Sequence, residues 1–231
     1  ECAMKRIRFF LAAALMMALL AGLALPVARA GAATQSELQT AFYSSAFSLE
    51  YGDSSADIMR RWEGDLVFWA GGAHTQEDER GLTLFLQQLY ERVPGLPPVY
   101  WTPERDRANI TVMYAPLSDL SHHSSAYVEG NWGFVTYYWN EAQEINYLEI
   151  VIASDVTGQE DRNHLLMEEI VNGLGLTNDI DTHADSIIYQ PWTTVQRLSE
   201  FDWQLLNTLY DARLQAGMSW DEVSRALGWG P

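Results

Sequence analysis

Asn163-His164-Leu165-Leu166-Met167-Glu168-Glu169-Ile170-Val171-Asn172-Gly173-Leu174-Gly175-Leu176-Thr177-Asn178-Asp179 is the stretch whose reading decides the fold. Wound at about 3.6 residues per turn, its first part is a helix with two unlike faces. Leu166, Met167, Ile170, Val171 and Leu174 share one arc and suit a core. His164, Glu168, Asn172 and, at the margin, Glu169 share the opposite arc. Such an arc is either a solvated face or one wall of a site. Gly175 favours the wall, because a glycine can turn the chain back sharply and carry Asn178 and Asp179 toward the polar arc. A helix with a returning loop is a layout from which three-ligand metal sites are built.

Composition narrows what such a site can serve. The chain has 231 residues with 31 acidic and 14 basic side chains, a net charge of -17. Met4-Lys5-Arg6-Ile7-Arg8 is basic, Phe9 to Leu25 is apolar, and Ala28-Arg29-Ala30 ends the run with small residues at the peptidase positions. This reads as a secretory signal peptide over 1–30, cut after Ala30, and places the protein in the periplasm or outside the cell. An uncleaved anchor is the alternative, but the Ala-x-Ala ending has no purpose there. No later run is apolar and long enough to span a membrane. An N-terminal arm over 31–55 and one domain over 56–231 follow. Cys2, the only cysteine, precedes the apolar run, so thiolate chemistry and Cys-ligated zinc are excluded. Lys5, Arg6, Arg8 and Arg29 fall in the leader, so the exported part is more acidic still. That surface excludes nucleic acid as a partner and favours cations or basic partners, or serves solubility alone.

Thr34 to Leu49 carries helical spacing and is broken by Gly52-Asp53-Ser54-Ser55. Arg60 to Trp69 reads as one strand stopped by Gly71-Gly72. Thr75-Gln76-Glu77-Asp78 resembles a capping box, and Leu82, Phe85, Leu86, Leu89 and Val93 give the helix behind it. Val99–Thr102 and Ile110–Tyr114 are short strands, and Pro116 to Gly130 is a polar loop with His122 and His123. Trp132–Trp139 and Ile145–Ala153 are strands, the second with an Ile150-Val151-Ile152 centre fit for burial on both faces. Thr157-Gly158-Gln159-Glu160 is read as a second capping box. Ile180 to Thr194 is irregular, and helices open at Ser199 and Ser219. The order implies an α+β domain.

At this point the residues resemble the metzincin metallopeptidases. Those carry H-E-x-x-H-x-x-G-x-x-H, or Asp at the last place, on a helix after a strand, helix, strand, strand, edge strand, strand order. Glu168 and Asn172 stand at the first two ligand places, Glu169 at the catalytic carboxylate, Gly175 at the turn glycine, and Asn178 or Asp179 at the third ligand. Ser186-Ile187-Ile188-Tyr189 faintly resembles the Met-turn but lacks the Met. The resemblance implies a zincin fold: a twisted mixed β-sheet with a long helix on it, an active-site-type helix, and a smaller helical C-terminal part. Over residues 40–225 the chain also looks like an uncharacterised family of exported bacterial domains, through Arg61-Trp62-Glu63-Gly64, the Glu168-Glu169 run and Leu209-Tyr210-Asp211.

Both helix histidines of the motif are missing, and Asn is a poor zinc ligand. Glu168, Asn172, Asn178 and Asp179 would suit a hard cation such as Ca²⁺ better than Zn²⁺, or no cation at all. A substitute set is His164, Glu168 and His183, with Glu169 as base. A carboxylate pair for glycoside cleavage is weaker, since neighbours in a helix diverge by about 100°. The expectation is therefore a metallopeptidase-like domain without ordinary zinc catalysis, a binding or accessory module for a peptide, protein or cell-wall ligand. The alternative is a metal-dependent peptide hydrolase with an unusual ligand set and Glu169 as general base.

Overall fold

The computed structural model describes residues 33–48 and 58–230; the expected signal peptide with its cleavage point, and the break at Gly52-Asp53-Ser54-Ser55, lie outside them. The elements are α1 (Gln35–Ala46), β1 (Arg61–Trp62), β2 (Leu66–Gly72), α2 (Gln76–Arg92), β3 (Val99–Trp101), β4 (Ile110–Ala115), β5 (Gly133–Trp139), β6 (Glu144–Ala153), α3 (Gln159–Gly173), α4 (Glu200–Leu209) and α5 (Trp220–Leu227). Strands dominate the first half and helices the second, in a mixed α/β fold whose sheet is parallel except at β5.

β6 is the spine of the sheet. Its Ile150, Val151 and Ile152 are fully buried, as a strand covered on both faces requires. It runs parallel to β4 on one side and antiparallel to β5 on the other, and β1 joins it at Glu144–Ile145. Among the described residues β5 pairs with β6 alone, so it is the outer strand there.

The segment read as one strand from Arg60 to Trp69 is two. β1 pairs with β6 while β2 lies between β3 and β4, and Glu63-Gly64-Asp65 carries the chain across. Glu63 fixes that crossing by binding the Arg61 guanidinium (2.8 Å) and the Ala216 amide (2.9 Å). Gly71-Gly72 close β2 as its last two residues, still paired with Met113 and Tyr114, and the strand ends at Gly72, whose φ is 81°. A Cβ at Gly72 would stand 2.1 Å from the Tyr114 carbonyl oxygen, so glycine here also permits close approach.

Helix starts follow local chemistry. The Thr75–Asp78 capping box forms as read. At α3 the box shifts by one residue: Gly158 is the cap, its amide donates to Asp161 Oδ2 (2.8 Å), and the Thr157 hydroxyl turns back to the Ala153 carbonyl. Asp78 does more than cap. Fully buried, it also accepts from Gln159 Nε2 (2.7 Å) and Arg162 Nε (3.0 Å), which ties α2 to α3.

The far end of α3 is held by residues distant in sequence. Trp62 Nε1 donates to the Gly173 carbonyl (3.1 Å) and the Tyr210 hydroxyl to that of Leu174 (2.8 Å), satisfying acceptors that a helix end leaves open. Gly175 has φ 122°, and a Cβ there would lie 2.4 Å from the Arg60 carbonyl oxygen, so the sharp return needs glycine. The arm expected over 31–55 contributes Ala41, Phe42, Ala46 and Phe47 of α1 to the same apolar core as the sheet, α2, α3 and α4.

Candidate functional site

From His164 onward α3 shows no solvated face, and only Glu168 there is partly exposed. The polar arc is buried with the apolar one: His164, Glu169 and Asn172 are all under a tenth exposed. The arc looks onto a cavity of about 540 Å³ between α3 and β5. Every residue of β5 except Tyr138 lines it, so the strand's open edge borders the space along with the face that meets α3. Seven residues at about 3.4 Å each make a wall on the order of 24 Å long. Tyr138 turns away, its hydroxyl bonded to Ser125 and Glu149.

Glu168, Glu169 and Asn172 from α3, Thr177 and Asp179 from the returning loop, and Asn131 and Thr136 on the β5 side supply the polar lining. Glu169 is seated by a glycine: a Cβ at Gly133 would fall 2.8 Å from Glu169 Oε1 and 2.8 Å from Leu165 Cδ2. The Asn172 Oδ1 is buried and accepts no hydrogen bond. Both ends of the cleft carry aromatic pairs. Trp132 and Trp192 meet edge to face with centroids 5.8 Å apart, and Tyr137 and Trp139 lie 5.6 Å apart, with the Arg60 guanidinium 4.3 Å over the Trp139 ring. Burial lowers Arg60 somewhat from its ordinary pKa.

Of the residues singled out from sequence, Glu168, Glu169, Asn172 and Asp179 share this cavity. Three others stand elsewhere. Asn178 turns to α1, donating from Nδ2 to the Ser44 carbonyl (3.2 Å), while its amide donates to that of Ser45 (3.2 Å). His164 lies behind the wall, Nδ1 bonded to the Val195 carbonyl (2.9 Å) and its ring 5.3 Å from Trp192. Burial lowers its pKa, so the imidazole is neutral near pH 7 and its 3.6 Å approach to Glu168 is not an ion pair there. His183 stacks on Phe201 at 3.7 Å, so the His164, Glu168, His183 set does not assemble. Ser186, from the Met-turn-like segment, is fully buried and donates to Asp202, a carboxylate raised in pKa by burial.

The donors on this wall do not fit zinc. Glu168, Asn172 and Asp179 offer oxygen alone, and the nearest imidazole is packed behind them. Among the described residues no group of three or more His, Cys, Asp and Glu is arranged to hold a metal ion. Trp132, Gly133 and Trp192 were not legible as site residues. The aromatic run at Trp132–Trp139 was the one available signal, and Trp192 sits in a stretch without periodicity.

Residues 35–228 match the profile of a family described as Protein of unknown function (DUF2927). No curated protein matches the chain. Among solved structures it is similar to one titled "Structure of myroilysin", with 14% identity over 67% of this chain and 97% of that chain and a TM-score of 0.41.

Proposed function

Because the chain belongs to the Protein of unknown function (DUF2927) family, its activity must be argued from its own cleft, and we propose that it is a binding module for an extended peptide segment. In this reading the domain is metzincin-like in element order, exported to the periplasm or beyond, and without ordinary zinc catalysis. The observation that carries it is the oxygen-only wall of α3. Glu168 and Asn172 sit one turn apart where a zinc enzyme of that layout needs imidazoles, and the histidine on the same arc is spent on Val195. What remains is a long cleft bordered by a strand edge, with aromatic rings at both ends and a few polar groups in its wall, the make-up of a recognition site. Glu169 lies beside Leu165 against Gly133, in the polar part of the lining.

The test is a peptide-array screen on the full chain, followed by mass spectrometry of the bound peptides. Binding of extended peptides that stay intact for hours, weakened roughly tenfold or more by Trp192→Ala, is expected. Peptides cut at one bond, with cutting abolished in Glu169→Ala, would replace this reading with the hydrolase.

A further inference from the structure

We infer that the Trp132–Trp192 end of the cleft takes a cationic group, the guanidinium or ammonium of a basic side chain on the bound peptide; this rests on the reading of the cleft as a peptide site. Two large rings, 40% and 54% exposed, meet edge to face at the rim. Aromatic faces attract cations, and most strongly where water is partly excluded. Two carboxylates lie at the same end. Glu169 rests against Gly133, the residue after Trp132, and Glu168 comes within 3.6 Å of the imidazole that packs on Trp192.

Asn172 adds an independent pointer. It is 6% exposed, lines the cavity, and its Oδ1 accepts no hydrogen bond. A buried acceptor without a donor is costly, and a ligand N–H group would relieve it. The lining brings no cation of its own: among the described residues that form it, none is Lys, Arg or His. At the opposite end, Arg60 already lies over Trp139. The same pairing of ring and guanidinium is thus built into one end of the cleft and left to the ligand at the other. An anionic side chain would meet two carboxylates there, and an apolar one would bring no donor to Asn172 Oδ1.

The test titrates three blocked pentapeptides, identical except for a central Arg, norleucine or Glu, into the full chain by calorimetry. The Arg peptide should bind at least roughly tenfold tighter than the norleucine peptide, with the Glu peptide weakest and the gap narrowing as salt rises. Glu168→Gln should collapse the ratio of Arg to norleucine affinity toward one; if that variant fails to fold, the same ratio measured in Trp192→Ala, at an exposed ring, carries the test, and a ratio unchanged from wild type overturns the cationic subsite. Equal affinity for Arg and norleucine, or tighter binding of Glu, overturns the cationic class and leaves the peptide cleft standing. Failure of all three to bind overturns both. Stoichiometric displacement of the Arg peptide by Zn²⁺ or Ca²⁺ overturns it in favour of a metal site.

Discussion

Gly133 and Glu169 are fitted to each other: a Cβ on the glycine would stand 2.8 Å from the carboxylate's Oε1 and 2.8 Å from Leu165 Cδ2. The first residue of β5 therefore sets how deeply the site carboxylate can sit. Gly133→Ala should push Glu169 and Leu165 aside, destabilising the domain by about 1–3 kcal/mol and weakening peptide binding. Urea unfolding and the peptide titration check both halves. An unchanged stability and affinity would mean that the two side chains yield freely and that the fit is without consequence.

The end of α3 gives a second expectation. Tyr210→Phe removes the donor to the Leu174 carbonyl and leaves a buried acceptor unmet, a loss of about 1–3 kcal/mol. The denaturant midpoint should fall with the slope unchanged. Trp62→Phe should act in the same direction through the Gly173 carbonyl and lose packing as well.

The Asp78–Arg162 pair couples α2 to α3 at the other end. Burial works to raise Asp78, but bonds from Thr75, Gln159 and Arg162 together hold it below the usual range. Arg162→Met takes the cation from a buried carboxylate that keeps its Thr75 and Gln159 bonds, and should cost about 1–3 kcal/mol. The double variant with Asp78→Asn should recover part of that loss, since the two sites share one network. Additive losses in thermal unfolding would contradict the coupling.

His164 makes stability pH-dependent, and the sign follows from its environment. Burial holds the ring below its ordinary 6.5, outweighing the Val195 bond and Asp161, which favour the charged form. As pH falls through that value the unfolded chain takes the proton first, so stability is complete above 6.5 and declines below it. Unfolding midpoints measured between about pH 7 and pH 5 should fall in the wild type and flatten in His164→Gln. A midpoint that rises on acidification would show the ring to be charged in the fold.

How far these features could be read from sequence depends on how local their causes are. The two arcs of α3 and the turn at Gly175 follow from periodicity and from glycine's freedom, and both were legible. Whether the polar arc faced water was not, because burial depends on what β5 brings to it. Asn178 and Asp179 diverge at a bend in the returning loop, and the sequence does not fix which one faces inward. The strand over Arg60–Trp69 split because alternation reports burial rather than pairing partners. Arg61, Trp62 and Tyr210 stood out by resemblance alone. Their use is tertiary: Arg61 Nη1 donates to the Leu209 carbonyl (2.8 Å), and Trp62 and Tyr210 hold the end of α3.

The most direct test of the central claim is the zinc stoichiometry of the full chain, measured after saturation with Zn²⁺ and extensive buffer exchange. An oxygen-only wall is expected to retain well below one zinc per chain, with no difference between wild type and Glu168→Ala. One zinc per chain, lost in Glu168→Ala or His164→Ala, would contradict the account and make the cleft a metal centre.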